Sequence, residues 1–138
     1  MIKRRKTQEI QIGNVKIGGN SPISVQSMTN TDTRDAGKTI KQIHELEDAG
    51  CDIVRIAIPD INSANNIPEI KRLTTIPIIA DIHFDYRLAL QSVKNGIDAL
   101  RINPGNIGGH ERVKKVVSAA KEAKIPIRIG VNSGSLEK

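Results

Sequence analysis

A pattern that occurs twice constrains this chain more than any other feature. Gly50-Cys51-Asp52-Ile53-Val54-Arg55-Ile56 and Gly96-Ile97-Asp98-Ala99-Leu100-Arg101-Ile102 both read G-x-D-x-x-R-I. A second pair interleaves with the first: Ile76-Pro77-Ile78-Ile79-Ala80-Asp81 and Ile125-Pro126-Ile127-Arg128-Ile129-Gly130. Each pair recurs after about 45–50 residues, the length of two strand–helix units. Side chains on a strand alternate between its two faces. Arg55 and Ala57, Asp81 and His83, Arg101 and Asn103, and Arg128 and Asn132 across Gly130 therefore share a face, strand by strand. The opposite parity is aliphatic: Val54 and Ile56, Ile78 and Ile82, Leu100 and Ile102, Ile127 and Ile129. The pattern predicts a parallel sheet with one face against helices and a ring of polar groups near the strand ends on the other.

The intervening residues read as the rest of such a fold. Ile10-Gln11-Ile12 and Val15-Lys16-Ile17 alternate around Gly13-Asn14, the signature of a hairpin, here within 8–18. Such a hairpin is placed to plug one end of a sheet or barrel. Core strands are expected at Ile23 to Met28, Ile53 to Ile58, Ile78 to Ile82, Ala99 to Asn103 and Ile127 to Val131. Thr29 to Asp35 reads as a polar loop with cap candidates Asp32, Thr33 and Asp35. A helix follows from about Ala36 to Ala49, with Ile40, Ile43 and Leu46 on its inner face and Gly50 as its stop. A weaker helix from about Asn62 to Arg72 is interrupted by Pro68. Two more run from the cap Asp85 to Asn95 and from about His110 to Ala123.

Strands alternating with helices mean parallel strands joined by right-handed crossovers. A doubly wound open sheet buries both faces and has near-continuous apolar strands. Polar groups at the same place in four successive strands favour instead a (β/α)8 barrel of TIM type, whose site lies at the strand C-terminal ends. A whole barrel takes roughly 250 residues. The chain has 138. The expected fold class is therefore α/β, a partial parallel barrel of about five strands and four helices with an N-terminal hairpin, spanning 1–138 as the amino-terminal part of a larger domain.

Net charge is +6 and the pI near 9.7, which points to anionic partners. Aromatics are scarce, with Phe84 and Tyr86 alone, so a base-stacking nucleic-acid surface is not expected. The basic run Lys3 to Lys6 reads as a solvated tail. A single cysteine, Cys51, excludes a disulfide framework and a four-cysteine metal site within this chain. No apolar run is long enough for a membrane span or a signal peptide, and a cytoplasmic location is expected by default.

Arg55, Arg101 and Arg128 on one face repel one another and are costly to bury without an anion. Guanidinium forks match phosphate oxygens, so a shared phosphate-bearing ligand is the preferred reading. The alternative is pairing with a neighbouring carboxylate such as Asp81. Asn103 and Asn132 serve either as amide donors to the same ligand or as turn formers beside glycine; their shared parity favours the ligand. Asp81 and His83 fit a general acid/base pair, and equally an arginine-paired aspartate beside a structural histidine. Gly105 to Gly109 opens a helix whose free N–H groups can hold an anion, a weak signal. His44 reads as solvated, and Cys51 as a small core residue.

Five stretches carry a resemblance. They are Val25-Gln26-Ser27-Met28-Thr29-Asn30-Thr31-Asp32-Thr33, Val54-Arg55-Ile56-Ala57-Ile58-Pro59, Ala80-Asp81-Ile82-His83-Phe84-Asp85-Tyr86-Arg87-Leu88-Ala89, Leu100-Arg101-Ile102-Asn103-Pro104-Gly105-Asn106-Ile107-Gly108 and Ile129-Gly130-Val131-Asn132-Ser133-Gly134-Ser135-Leu136. In order and over nearly the whole chain, they resemble the amino-terminal part of the 4-hydroxy-3-methylbut-2-enyl diphosphate synthase family of the non-mevalonate isoprenoid pathway. The resemblance implies a (β/α)8 barrel followed by a smaller iron–sulfur domain, absent here. It implies an oxidoreductase that opens 2-C-methyl-D-erythritol 2,4-cyclodiphosphate with two electrons and loss of water, using ferredoxin or flavodoxin as donor. By the same resemblance Arg55, Arg101, Asn103, Arg128 and Asn132 bind the cyclic diphosphate, and Asp81 and His83 are the catalytic candidates in the same mouth. The family's 4Fe–4S cluster is held by cysteines and a glutamate of the second domain, so no metal ligand is expected in this chain. Alone, it is expected to be inactive and to self-associate as a dimer or higher oligomer through its unpaired sheet edges. The competing readings are a pterin-binding barrel of the dihydropteroate synthase type and a non-enzymatic polyanion binder.

Overall fold

The computed structural model describes residues 5–135. Lys3 and Arg4 of the basic run, and Leu136, lie outside the described residues, whereas Arg5 and Lys6 are exposed. A two-stranded antiparallel hairpin, β1 (Ile10–Ile12) and β2 (Val15–Ile17), precedes a five-stranded sheet. The sheet contains β3 (Gln26–Met28), β4 (Ile53–Ala57), β5 (Ile78–Ile82), β6 (Ala99–Ile102) and β7 (Ile127–Ile129), in that spatial order and all parallel. Helices α1 (Ala36–Asp48), α2 (Ile61–Asn65), α3 (Ile67–Leu73), α4 (Tyr86–Lys94) and α5 (Gly109–Glu122) fill the crossovers. This is the architecture expected from the alternation, a partial TIM-type barrel.

The two parities separate as the repeat predicts. Val54, Ile56, Ile58, Ile78, Ala80, Ile82, Leu100 and Ile102 form one aliphatic core with Ile43, Ala64, Ile70, Ala89 and Val116 of the helices. On the opposite face Ile53, Ile79 and Ala99, near the strand starts, pack against Ile12, with Val15 and Ile17 alongside. The hairpin thus covers the inner face at the N-terminal end of the strands. Its tip is pressed close: a Cβ added at Gly13 would stand 2.9 Å from Pro77 Cγ.

The repeated aspartate has a structural task. Asp52 Oδ2 accepts the Val25 N–H at 2.7 Å, and Asp98 Oδ2 accepts the Ile78 N–H at 2.7 Å. Each carboxylate clamps the base of the strand before it in the sheet. Lys71 Nζ also donates to Asp98, at 2.5 Å. The repeated glycines end α1 and α4 at φ +91° for Gly50 and +85° for Gly96, a conformation L side chains rarely adopt. Each letter of G-x-D-x-x-R-I therefore has a role: stop the helix, clamp the neighbouring strand, face the mouth, fill the core.

Several boundaries differ from expectation: β4 ends at Ala57 and β6 at Ile102, each one residue early, and three differences are larger. β3 begins at Gln26 rather than Ile23, and Ile23 is 87% exposed. It is an edge strand, and the Val25 N–H is taken by the Asp52 side chain instead of a ladder partner. β7, also at an edge, stops at Ile129. The helix expected from Asn62 to Arg72 is two helices, and the break falls at Asn66, whose amide donates to the Thr33 and Arg34 carbonyls at 3.0 and 2.9 Å. Pro68 sits in the first turn of α3, where the missing N–H costs nothing. His44, read as solvated, is exposed, yet its Nε2 lies 2.7 Å from the Leu73 carbonyl oxygen. Cys51 is buried as expected, its thiol donating to the Ile53 carbonyl at 3.0 Å. Among the described residues no helix is long and apolar enough to cross a membrane.

Candidate functional site

Moving up the inner face from the hairpin, the apolar floor gives way to charge. Arg55, Asp81 and Arg101 stand on three successive strands, β4, β5 and β6. Asp81 is 2% exposed. Arg101 Nη1 donates to its Oδ1 at 3.3 Å, and Arg55 Nε stands 3.5 Å from its Oδ2. His83, just beyond β5, is exposed and holds Nε2 3.6 Å from the same Oδ2. Two guanidiniums and an imidazole therefore converge on one buried carboxylate.

Arg128 of β7 is in register with Arg101 and shares its face. Its Nη1 donates to Gln26 Oε1 on β3 at 3.1 Å. β3 and β7 are the two edges of the sheet. This bond spans the concave face from edge to edge, above a cavity of ≈ 680 Å³ whose walls include Ile10, Ile12, Ile79 and Ala99. Three guanidinium charges against the one Asp81 carboxylate leave a surplus of two positive charges. Same-sign charges at adjoining positions of a sheet are destabilising unless something screens them. The arrangement is suited to a multiply charged anion.

The remaining expected residues lie nearby in different ways. Asn103, directly after β6, is buried, and its Oδ1 accepts the Gly105 N–H at 3.1 Å, the turn-forming use. Asn132 is exposed beyond the end of β7, ahead of a short 3-10 turn at Ser133–Ser135. The glycine turn before α5 places Gly108 at φ +84° as N-cap, with no side-chain cap bond. Three residues escaped sequence reasoning as site members. Gln26 and Met28 share the inner parity of β3, a signal the alternation rule carries; Met28 Sδ lies 3.4 Å from Arg55 Nε. Gly130 lies beneath the Arg101 guanidinium, and nothing local in the sequence announces that.

Fold and site together define a segment of a TIM-type (β/α) barrel with a basic, carboxylate-braced mouth at the C-terminal ends of its strands. A family model described as the GcpE TIM-barrel domain matches residues 7–138, and the chain belongs to that family. A protein of Caldanaerobacter subterraneus subsp. tengcongensis named 4-hydroxy-3-methylbut-2-en-1-yl diphosphate synthase (flavodoxin) is 67% identical over 139 residues, covering 100% of this chain and 39% of that protein. A Clostridium acetobutylicum protein of the same name is 61% identical over 137 residues, covering 99% of this chain and 39% of its own length. The chain thus spans well under half of the curated relatives it matches. Among solved structures, a Yersinia pestis dihydropteroate synthase aligns with TM-score 0.69 at 10% identity, over 94% of this chain and 49% of that one. A Vibrio fischeri 7,8-dihydropteroate synthase aligns with TM-score 0.63 at 15% identity, over 88% and 48%. At such identities the likeness concerns the fold alone.

Proposed function

We propose that this chain is the amino-terminal, substrate-holding part of a barrel that, in the whole protein, reductively opens 2-C-methyl-D-erythritol 2,4-cyclodiphosphate to 4-hydroxy-3-methylbut-2-enyl diphosphate. The observation that carries the reading is the surplus of positive charge where Arg55, Arg101 and Arg128 face one concave surface around a single carboxylate. A cyclic diphosphate supplies the compensating negative charge in a compact shape. Arg101 and Arg55 bind its phosphate oxygens, Arg128 exchanges Gln26 for the ligand, and Asn103 and Asn132 contribute amide contacts at the rim. Asp81 holds the two guanidiniums in place, and His83 is an exposed titratable group beside it. The names of the 67% and 61% identical relatives support the same reaction, with flavodoxin as electron donor; ferredoxin is the other donor class we assign to it. A cytoplasmic homodimer is the proposed form of the whole protein.

The 4Fe–4S cluster implied by the family resemblance does not fit these residues. Among the described residues no three histidine, cysteine or acidic side chains converge, and Cys51 is buried against the Ile53 carbonyl. Its ligands belong to a further domain, and no redox step is assigned to this chain, which is expected to leave the ring intact when mixed with a reduced donor.

Titration calorimetry of the 138-residue chain with the cyclic diphosphate tests the proposal. Arg101→Ala is expected to weaken binding at least about tenfold, while Lys121→Ala, on the exposed side of α5, leaves it unchanged. Equal loss from both variants, with any polyanion competing, would point to the polyanion-binding alternative.

A further inference from the structure

Arg101 and Arg128 occupy paired positions on adjacent strands and the same face, so their heads must part. Arg128 reaches across to Gln26. Arg101 leans over β7, and its guanidinium comes to rest on Gly130, one pleat above Arg128. A Cβ built on Gly130 would fall onto the Nη2, Nε and Cζ atoms of Arg101. The backbone at this point makes no demand for glycine. Gly130 is not among the residues with positive φ, and its N–H continues the ladder to the Ile102 carbonyl at 2.9 Å. What requires the missing side chain is the arginine above it.

We propose that Gly130 is a positioning residue for the anion site, the bare strip of β7 that lets the Arg101 guanidinium lie flat between Asp81 and the mouth. The proposal rests on the reading of the rim as a diphosphate clamp. It adds that the clamp's geometry depends on a residue with no polar atom of its own in contact with ligand. With alanine here, the Arg101 head must lift. It then loses its 3.3 Å contact to Asp81 Oδ1 and is no longer held apart from Arg128.

Four forms of the full chain decide the matter: wild type, Gly130→Ala, Arg101→Ala and the double variant. Each is titrated with inorganic pyrophosphate and melted without ligand. Gly130→Ala is expected to bind pyrophosphate about tenfold more weakly than wild type. In the Arg101→Ala background the same substitution should leave affinity unchanged. Gly130→Ala should also lower Tm when Arg101 is present and not when it is alanine, since the atoms nearest the added Cβ belong to that side chain. Should Gly130→Ala fail to fold, recovery of folding in the double variant still supports the proposal. An equal drop in Tm in both backgrounds, no recovery in the double variant, or wild-type pyrophosphate affinity in Gly130→Ala overturns it. If wild type itself ignores pyrophosphate, the diphosphate reading fails, while the melting comparison still decides the role of Gly130.

Discussion

The two faces of the sheet solve different problems with the same strands. The outer face is uniform: Ile56, Ile58, Ile78, Ile82, Leu100 and Ile102 are at most 1% exposed and lie against aliphatic helix residues. The inner face changes character along its length, from Ile53, Ile79 and Ala99 under the hairpin to Arg55, Asp81, Arg101 and Arg128 at the mouth. Neighbours in sequence therefore sit in opposite environments. Stability is concentrated on one side of a strand, and the chemistry one residue away on the other. A mutation's effect follows from its parity more than from its residue type.

Consecutive isoleucines of β5 offer the sharpest way to break that view. Ile78 is fully enclosed on the helix side, whereas Ile79 borders the open inner cavity. Ile78→Ala is expected to cost about 4 kcal/mol by urea unfolding, and Ile79→Ala about 2, because its void merges with space already present. Hydrogen exchange in Ile79→Ala should quicken in Ile10–Ile17, the strands it supports. Equal costs would mean that the hairpin seals the inner face as tightly as the helices seal the outer one.

Asp81 tests the charged end of the same strand. Removing it leaves Arg55 and Arg101 without their shared carboxylate. Asp81→Ala is expected to cost about 2–3 kcal/mol, below the usual range for a fully buried pair because both arginine heads keep some access to water. Added pyrophosphate should then raise Tm less in Asp81→Ala than in wild type, because the Arg101 head loses the carboxylate that positions it. If the anion raises Tm more in the variant, Asp81 competes with the ligand for the arginines rather than positioning them.

The smallest effect belongs to the helix layer. The Asp60 carboxylate accepts the Ser63 N–H and hydroxyl, both at 2.8 Å, and caps α2. These bonds, backbone first, hold its carboxyl below the ordinary 3.8, helped by Arg34. A lowered folded-state value stabilises the fold above the ordinary carboxylate range and ceases to as pH falls through the folded value. Asp60→Ala should cost about 1 kcal/mol at neutral pH. The gap between variant and wild type should close on acidification below the 3.8 reference, followed by circular dichroism. A gap that persists in strong acid would remove the charge from the explanation.

Much of this was legible in one dimension. Period-2 alternation placed Arg55, Asp81 and Arg101 on one face, because a strand offers its side chains no other choice. Asp85 capped α4, accepting the Arg87 N–H at 2.9 Å, and glycine ended two helices, because these are effects of residues on their immediate neighbours. The break at Asn66 was missed because its amide serves carbonyls more than thirty positions away. The clamping role of Asp52 and Asp98 was likewise invisible, since it joins strands that only the sheet brings together.

The amino-acid order alone determined strand and helix succession, the parity of the polar face and the surplus of positive charge, all consequences of local geometry and composition. Only the tertiary structure decided that Asp81 serves two arginines, that Arg128 crosses from one edge strand to Gln26 on the other, and that Gly130 makes room for Arg101. Those depend on how far the sheet curls and how neighbouring strands are staggered, and both are set by packing across the whole domain.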